Sequence, residues 1–187
     1  MTDIVAELIV SLDGHVRGEQ SPGYYGYFGP ELGAWFEQKD AEPHRTAFGR
    51  KTYEILSDLP EEAKDEDWHR MVKTSGWLFS RTLSTSEWPN LTVVGADPVD
   101  MLRRAKEDGG PEIRILGSLS IVHQLLGAEA LDRLRLIVCP LVLPQTGLEP
   151  LFAGLPDLAF DLESTRVLDD RVLLLDYRPA GPPPSTA

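Results

Sequence analysis

The chain has 187 residues, with 18 lysines and arginines against 30 aspartates and glutamates, a net charge of −12. Such a charge repels phosphate backbones and anionic lipid surfaces, so neither nucleic acid nor membrane is an expected partner. A single cysteine, Cys139, excludes an internal disulfide and a thiolate zinc cluster, and no apolar run approaches the length of a membrane span.

This length accommodates one domain whose core needs no metal or disulfide staple. We assign it to residues 1–179, and 180–187 to a disordered proline-rich tail. Asp3 and Glu7 interrupt the first apolar stretch and no basic segment precedes it, so no signal peptide is expected and the location is cytoplasmic. Cys139 lies inside the apolar run of 136–143 and reads as a buried, inert thiol.

In chain order, strands are predicted over 4–10, 46–48, 77–80, 91–95, 113–117, 133–143, 159–168 and 171–177. The last two, joined by Asp169-Asp170, read as an antiparallel hairpin. Helices are predicted over 30–39, 50–58 and 61–74, from Asp97 to Asp108, and from Ser118 or Ser120 to Gly127. Five strands alternating with helices, then three strands without, describe an α/β fold: an open, mostly parallel sheet with an antiparallel C-terminal edge. Ligands of such sheets bind where the carboxyl ends of the strands meet helix N-termini.

Three of these turns share one chemistry. Gly49-Arg50-Lys51-Thr52 combines a glycine, which lets backbone approach a ligand, with two cations and a hydroxyl at a helix start. Helix N-termini favour acidic residues unless an anion is bound there, so two cations point to a phosphate. Ser80-Arg81-Thr82 repeats the hydroxyl–cation–hydroxyl pattern and reads either as a second anion contact or as a surface turn. Gly117-Ser118-Leu119-Ser120 is a strand end running into a helix, where capping and ligand contact use the same groups. Neither a Rossmann glycine fingerprint nor a Walker loop is present.

With Ser11-Leu12-Asp13-Gly14, Leu151-Phe152-Ala153-Gly154-Leu155 and the stretches 116–126 and 130–143, these turns fall in the order seen in the dihydrofolate reductase superfamily. The chain most resembles the branch related to the reductase domain of bacterial riboflavin biosynthesis. The resemblance implies a three-layer, eight-stranded mixed sheet, mostly parallel, and NADPH as cofactor. It further implies that Arg50, Ser80 and Arg81 hold the 2′-phosphate. Lys51 and Thr52 would face the pyrophosphate, and residues 117–120 would support the nicotinamide end. A homodimer is implied too. Two departures stand out: Gly117-Ser118 replaces a common glycine pair, and Pro144-Gln145-Thr146-Gly147 replaces another. No His-x-Glu or Pro-Cys-x-x-Cys occurs, so a zinc deaminase is expected on a separate protein and no metal site is assigned.

The substrate side is less defined. Tyr24, Tyr25, Tyr27 and Phe28, in a glycine-rich loop, read either as a stacking platform for a flat heterocycle or as packing beneath that loop. Ser11 and Trp35 are further substrate-side candidates. Asp13 and Glu31 are the candidate catalytic carboxylates, although Asp13 suits an Asp-Gly turn and Glu31 a first-turn dipole partner. The expected function is an NADPH-dependent reductase of a small pyrimidine- or pterin-like heterocycle, similar to 5-amino-6-(5-phosphoribosylamino)uracil reductase. The alternative is a non-catalytic nucleotide-binding or interaction protein on the same fold.

Overall fold

The computed structural model describes residues 2–21 and 23–184, apart from the side chain of Tyr25. The first strands and helices run β1 (Ile4–Ser11), β2 (His15–Gly18), α1 (Pro30–Ala41), β3 (His44–Gly49), α2 (Arg50–Ser57), α3 (Glu66–Lys73), β4 (Gly76–Phe79) and β5 (Leu91–Val94). There follow α4 (Pro98–Glu107), β6 (Glu112–Ile115), α5 (Leu119–Gly127), β7 (Arg133–Cys139), β8 (Gly147–Pro150), β9 (Ala159–Leu168) and β10 (Val172–Gly181).

Eight of the strands form one sheet in the order β5-β4-β3-β6-β1-β7-β10-β9, and β2 pairs with β8 in a separate two-stranded ribbon. Neighbours from β5 to β7 are parallel, while β10 runs antiparallel to both β7 and β9. β1, at the centre, is buried along almost its whole length, as a parallel strand covered on both faces must be. Ile4, Ala6, Leu8 and Val10 pack with α4 and α5 on one side. Ile9 and Ile137 face α1, and Phe48 and Leu78 face α2 and α3 on the other. The result is three layers, as the family resemblance implies.

Three boundaries differ from expectation for identifiable reasons. The helix predicted over 61–74 is divided: Glu61–Ala63 forms one 3-10 turn, and α3 starts afresh where the Asp65 carboxylate accepts from Trp68 N at 3.0 Å. The strand predicted to reach 143 stops at Cys139, because Pro140 has no N–H for the ladder. At the other end, β10 continues to Gly181. Ser185 to Ala187, the last part of the expected tail, lie outside the described residues.

The hairpin turn forms as read. Asp169 and Asp170 both have positive φ, at 51° and 52°, which suits a two-residue turn between twisted strands. Asp169 also caps α1: its carboxylate accepts from Glu31 N at 2.9 Å and Leu32 N at 3.1 Å, and its own N–H donates to Glu31 Oε2 at 2.6 Å. Cys139 is fully buried, and burial pushes its thiol up to about 11.

Candidate active site

Four adjacent parallel strands, β5, β4, β3 and β6, end on the same edge of the sheet, so their carboxyl-terminal turns are neighbours. β3 leads directly into α2 at Gly49, and β6 leads through Leu116 and Gly117 into α5. The two turns are joined: Gly49 N–H donates to the Gly117 carbonyl at 3.0 Å. A Cβ at Gly49 would lie 3.0 Å from Ser118 Cβ, and one at Gly117 would lie 3.1 Å from Thr52 Cγ2, so glycine is what permits this approach. The Gly117–Ser118 peptide is cis. From β4, Ser80 N–H donates to the Val94 carbonyl at 3.0 Å, and the Ser80 hydroxyl accepts from Thr82 N at 3.2 Å and Leu83 N at 3.0 Å.

These turns enclose a cleft of about 370 Å³. Gly49, Arg50, Lys51, Ser80, Arg81, Thr82, Ser118 and Ser120 all line it, so the three stretches singled out from sequence converge on one site. Arg50, Lys51 and Arg81 supply three cations, and among the described residues no carboxylate lines the cleft. Arg50 stands 3.4 Å from Glu54 and Lys51 3.9 Å from Glu149, both long exposed pairs that bind weakly. The helices starting here, α2 and α5, have no side-chain cap on their first N–H groups, whereas α3 and α4 are capped by Asp65 and Asp97. N–H groups without a side-chain cap, a dipole end and weakly paired cations suit a phosphate-bearing ligand. Thr52 and Leu119 point elsewhere, lining an adjoining hollow together with Gly117 and Ser118.

That hollow continues inward between α1, α3 and the sheet. It consists of two connected volumes of about 280 and 260 Å³ that share Glu7, Phe36, Leu56, Met71 and Leu116. The ribbon contributes Arg17 and Glu149, paired at 3.4 Å, to its rim. Its floor is polar. Glu7, Thr46 and Arg114 line it from strand positions that alternate with core residues, and Glu112, Arg135 and Asp176 lie beside them on the same α1 face of the sheet. Arg135 Nη1 donates to Glu7 at 2.7 Å, and Arg114 Nε donates to Glu112 at 2.7 Å. Burial opposes ionisation of Glu112, but the hydrogen bond from Arg114 and the charge of Arg135 outweigh it, holding its carboxyl below the usual range.

The other sequence-derived candidates are placed as follows. Asp13 accepts from Ser11 Oγ at 2.7 Å and Leu143 N at 2.8 Å; chiefly through the serine, its carboxyl is held below its ordinary value. Ser11 in turn accepts from His15 N at 2.9 Å. Both residues thus shape the turn after β1 and tie it to the chain after β7. Glu31 belongs to the α1 cap described above. Tyr24 is buried, with its hydroxyl donating to the His15 carbonyl at 2.9 Å, and burial pushes that hydroxyl up to about 12. Tyr27 lies against Arg171, and Trp35 packs in the core beneath α1. Of the predicted platform only Phe28 lines the hollow, alongside Phe36; the side chain of Tyr25 lies outside the described residues. Sequence reading missed Glu7, Thr46 and Arg114 as site residues. The available signal was a charge at alternate positions inside strands that are otherwise apolar.

A mixed eight-stranded sheet, parallel from β5 to β7 with one antiparallel C-terminal strand and helices on both faces, defines a dihydrofolate reductase-like fold. The chain matches the family described as the RibD C-terminal domain over residues 2–174, and it belongs to that family. Comparison with curated proteins gives no match. Among solved structures, a putative riboflavin biosynthesis protein from Shewanella sp. PV-4 is similar with a TM-score of 0.71 at 19% identity, covering 96% of this chain and 99% of that one. A pyrimidine reductase-like protein from Corynebacterium diphtheriae aligns with a TM-score of 0.69 at 14% identity, over 95% and 92% of the two chains. A diaminohydroxyphosphoribosylaminopyrimidine deaminase/5-amino-6-(5-phosphoribosylamino)uracil reductase from Thermotoga maritima aligns with a TM-score of 0.67 at 14% identity. That alignment covers 96% of this chain and 57% of the Thermotoga protein. Among the described residues no helix is long and apolar enough to cross a membrane.

Proposed function

We propose that the protein is an NADPH-dependent reductase of a small pyrimidine- or pterin-like heterocycle; the Corynebacterium and Thermotoga proteins, described as pyrimidine reductase-like and as a uracil reductase, support the pyrimidine part of this reading. The observation that carries this reading is the convergence of Arg50, Lys51 and Arg81 on one cleft without a carboxylate among its described lining residues. The donor set fits a dinucleotide. Arg50 and Arg81 would hold the 2′-phosphate, Lys51 and the free N–H groups of α2 the pyrophosphate, and Ser118 and Ser120 the approach to the nicotinamide. When bound, NADPH supplies the hydride; the chain's own residues bind, orient and keep water out. Gly49 and Gly117 allow close backbone approach, and Ser118, which lines both the cleft and the hollow, stands where the two ligands would meet. A soluble homodimer acting in the cytoplasm belongs to the same reading.

One observation favours the second reading, nucleotide binding without catalysis. Asp13 and Glu31, the carboxylates nominated as proton donors, are engaged in a turn and a helix cap, and neither lines the hollow. Titration of NADPH fluorescence, followed by turnover assays with pyrimidine and pterin substrates, separates the two. Binding with oxidation of NADPH supports the reductase. Tight binding with no oxidation by any heterocycle selects the alternative, and no binding removes both.

A further inference from the structure

The two cations at the start of α2 are held differently. Arg50 pairs at 3.4 Å with Glu54, one turn along its own helix, a contact that any basic helix start can make. Lys51 reaches off the helix instead, to Glu149 on β8, 3.9 Å away. Lys51 lines the cleft and Glu149 lines the hollow, so this pair runs from one space to the other.

Glu149 is aimed at that position. It sits within the ribbon strand β8 at φ 56°, the left-handed region that residues with a side chain seldom enter. Such a kink costs free energy and turns a side chain out of the alternation of its strand. The redirected carboxylate meets two cations on a single oxygen: Oε1 accepts from Arg17 Nη2 at 3.4 Å and faces Lys51 Nζ at 3.9 Å. Arg17, on β2, has a buried Nε with no hydrogen-bond partner, and among the described residues its guanidinium pairs with Glu149 alone. Two positive charges against one carboxylate leave a local excess of cation, in a chain whose net charge is −12.

We propose that Glu149 is a positioning residue for the cofactor: its carboxylate competes with a ligand phosphate for Lys51, and so carries phosphate binding in the cleft to the ribbon that rims the hollow. The inference rests on the proposed function only for the phosphate's being part of NADPH. An exposed pair at this distance is weak, and a charge-assisted bond to phosphate is stronger. Lys51 therefore exchanges Glu149 for the phosphate, Glu149 is left to Arg17, and the tie between β8 and α2 is released. Glu149 thereby lowers cofactor affinity. A residue that only shaped the ribbon would, on replacement, leave that affinity unchanged or weaken it.

The test is a double-mutant cycle on the full chain, with NADPH affinity read by fluorescence titration at low salt. Glu149→Gln should bind NADPH about threefold more tightly than the parent, the size expected of an exposed pair. Lys51→Met should bind it about tenfold more weakly, and adding Glu149→Gln to Lys51→Met should restore nothing. Glu149→Gly, which relieves the left-handed φ, is the second variant: it should show the same gain and melt no lower than the parent. Repeating the cycle with inorganic pyrophosphate, read as the rise in thermal midpoint, separates the competition from the identity of the ligand. Parental or weaker NADPH affinity in both Glu149 variants, or an equal gain with and without Lys51, would overturn the proposal and leave the cofactor reading standing. The expected cycle with pyrophosphate, without any NADPH binding, would support the proposal and remove NADPH. Binding of neither anion removes both.

Discussion

One edge of the sheet carries two candidate binding regions that meet at Ser118, and they are built on opposite electrostatic plans. The outer cleft lies at exposed turns where three cations face free helix N-termini. In the inner hollow, Glu7 and Arg114 rise from strand interiors and are already hydrogen-bonded to Arg135 and Glu112 beside them. In a chain of net charge −12, a cleft lined by Arg50, Lys51 and Arg81 and, among the described residues, by no carboxylate contrasts with the acidic surface around it. The inner charges act differently. Buried ion pairs add little net stability because desolvation consumes the Coulombic gain, but they hold each other in place. On the proposed reading, the outer region would attract its ligand by charge and the inner region would sort by shape and hydrogen-bond pattern.

The largest expected effect comes from stripping the outer region of its charge. Replacing Arg50 and Arg81 together by alanine removes two charge-assisted contacts, together worth about 3 kcal/mol or roughly a 100-fold loss of NADPH affinity. NADH, lacking the 2′-phosphate, should lose much less. Fluorescence titration with both nucleotides checks this; equal losses would assign these arginines to the pyrophosphate instead.

Next in size is the joint between the two regions. Gly117 has φ +132°, a conformation that side-chain-bearing residues rarely adopt, and a Cβ there would press on Thr52. Gly117→Ala should cost about 2 kcal/mol and lower the thermal midpoint by roughly 4–8 °C. It should weaken ligands of both regions. A variant that melts normally and loses only one ligand would mean that the regions are independent.

A smaller, reversible probe is salt. Raising sodium chloride from 50 to 300 mM should weaken NADPH severalfold, because Arg50 and Lys51 are exposed and screened. Affinity for uracil, a neutral pyrimidine of the proposed substrate class, should hold nearly constant. Parallel slopes for the two ligands would erase the contrast.

The two regions were also unequally legible in the sequence. The outer one is made of consecutive residues: Gly49 to Thr52, Ser80 to Thr82 and Gly117 to Ser120 each carry their chemistry locally, and only their convergence needed the sheet order. The inner one has no local signature. Glu7, Thr46 and Arg114 come from three strands, and it is the parallel register, Thr46 beside Arg114 and Arg114 beside Val5, that assembles them. The ribbon escaped notice for a similar reason. His15–Gly18 and Gly147–Pro150 are four residues each, mixed in polarity, and become strands only by pairing across most of the chain. Tyr24 and Trp35 show the converse limit, since aromatic residues near a site do not announce whether they face the ligand or the core.

The smallest effect tests whether the inner carboxylates belong to the fold or to a ligand. Burial raises the Asp40 carboxyl above its ordinary value, against the opposing charges of His44 and Arg114. A carboxylate shifted in this direction is penalised when ionised in the folded state, so it costs stability above its folded pKa and the cost fades as pH falls through that value. Asp40→Asn should therefore melt slightly higher than the parent near pH 7, with the difference shrinking on acidification. If the fold needed the charge, through Arg114 at 3.7 Å, the variant would instead melt lower at neutral pH. A stabilised variant that also binds uracil more weakly would mean that Asp40 is held ionised against the preference of the fold, as expected of a group facing a ligand rather than the core.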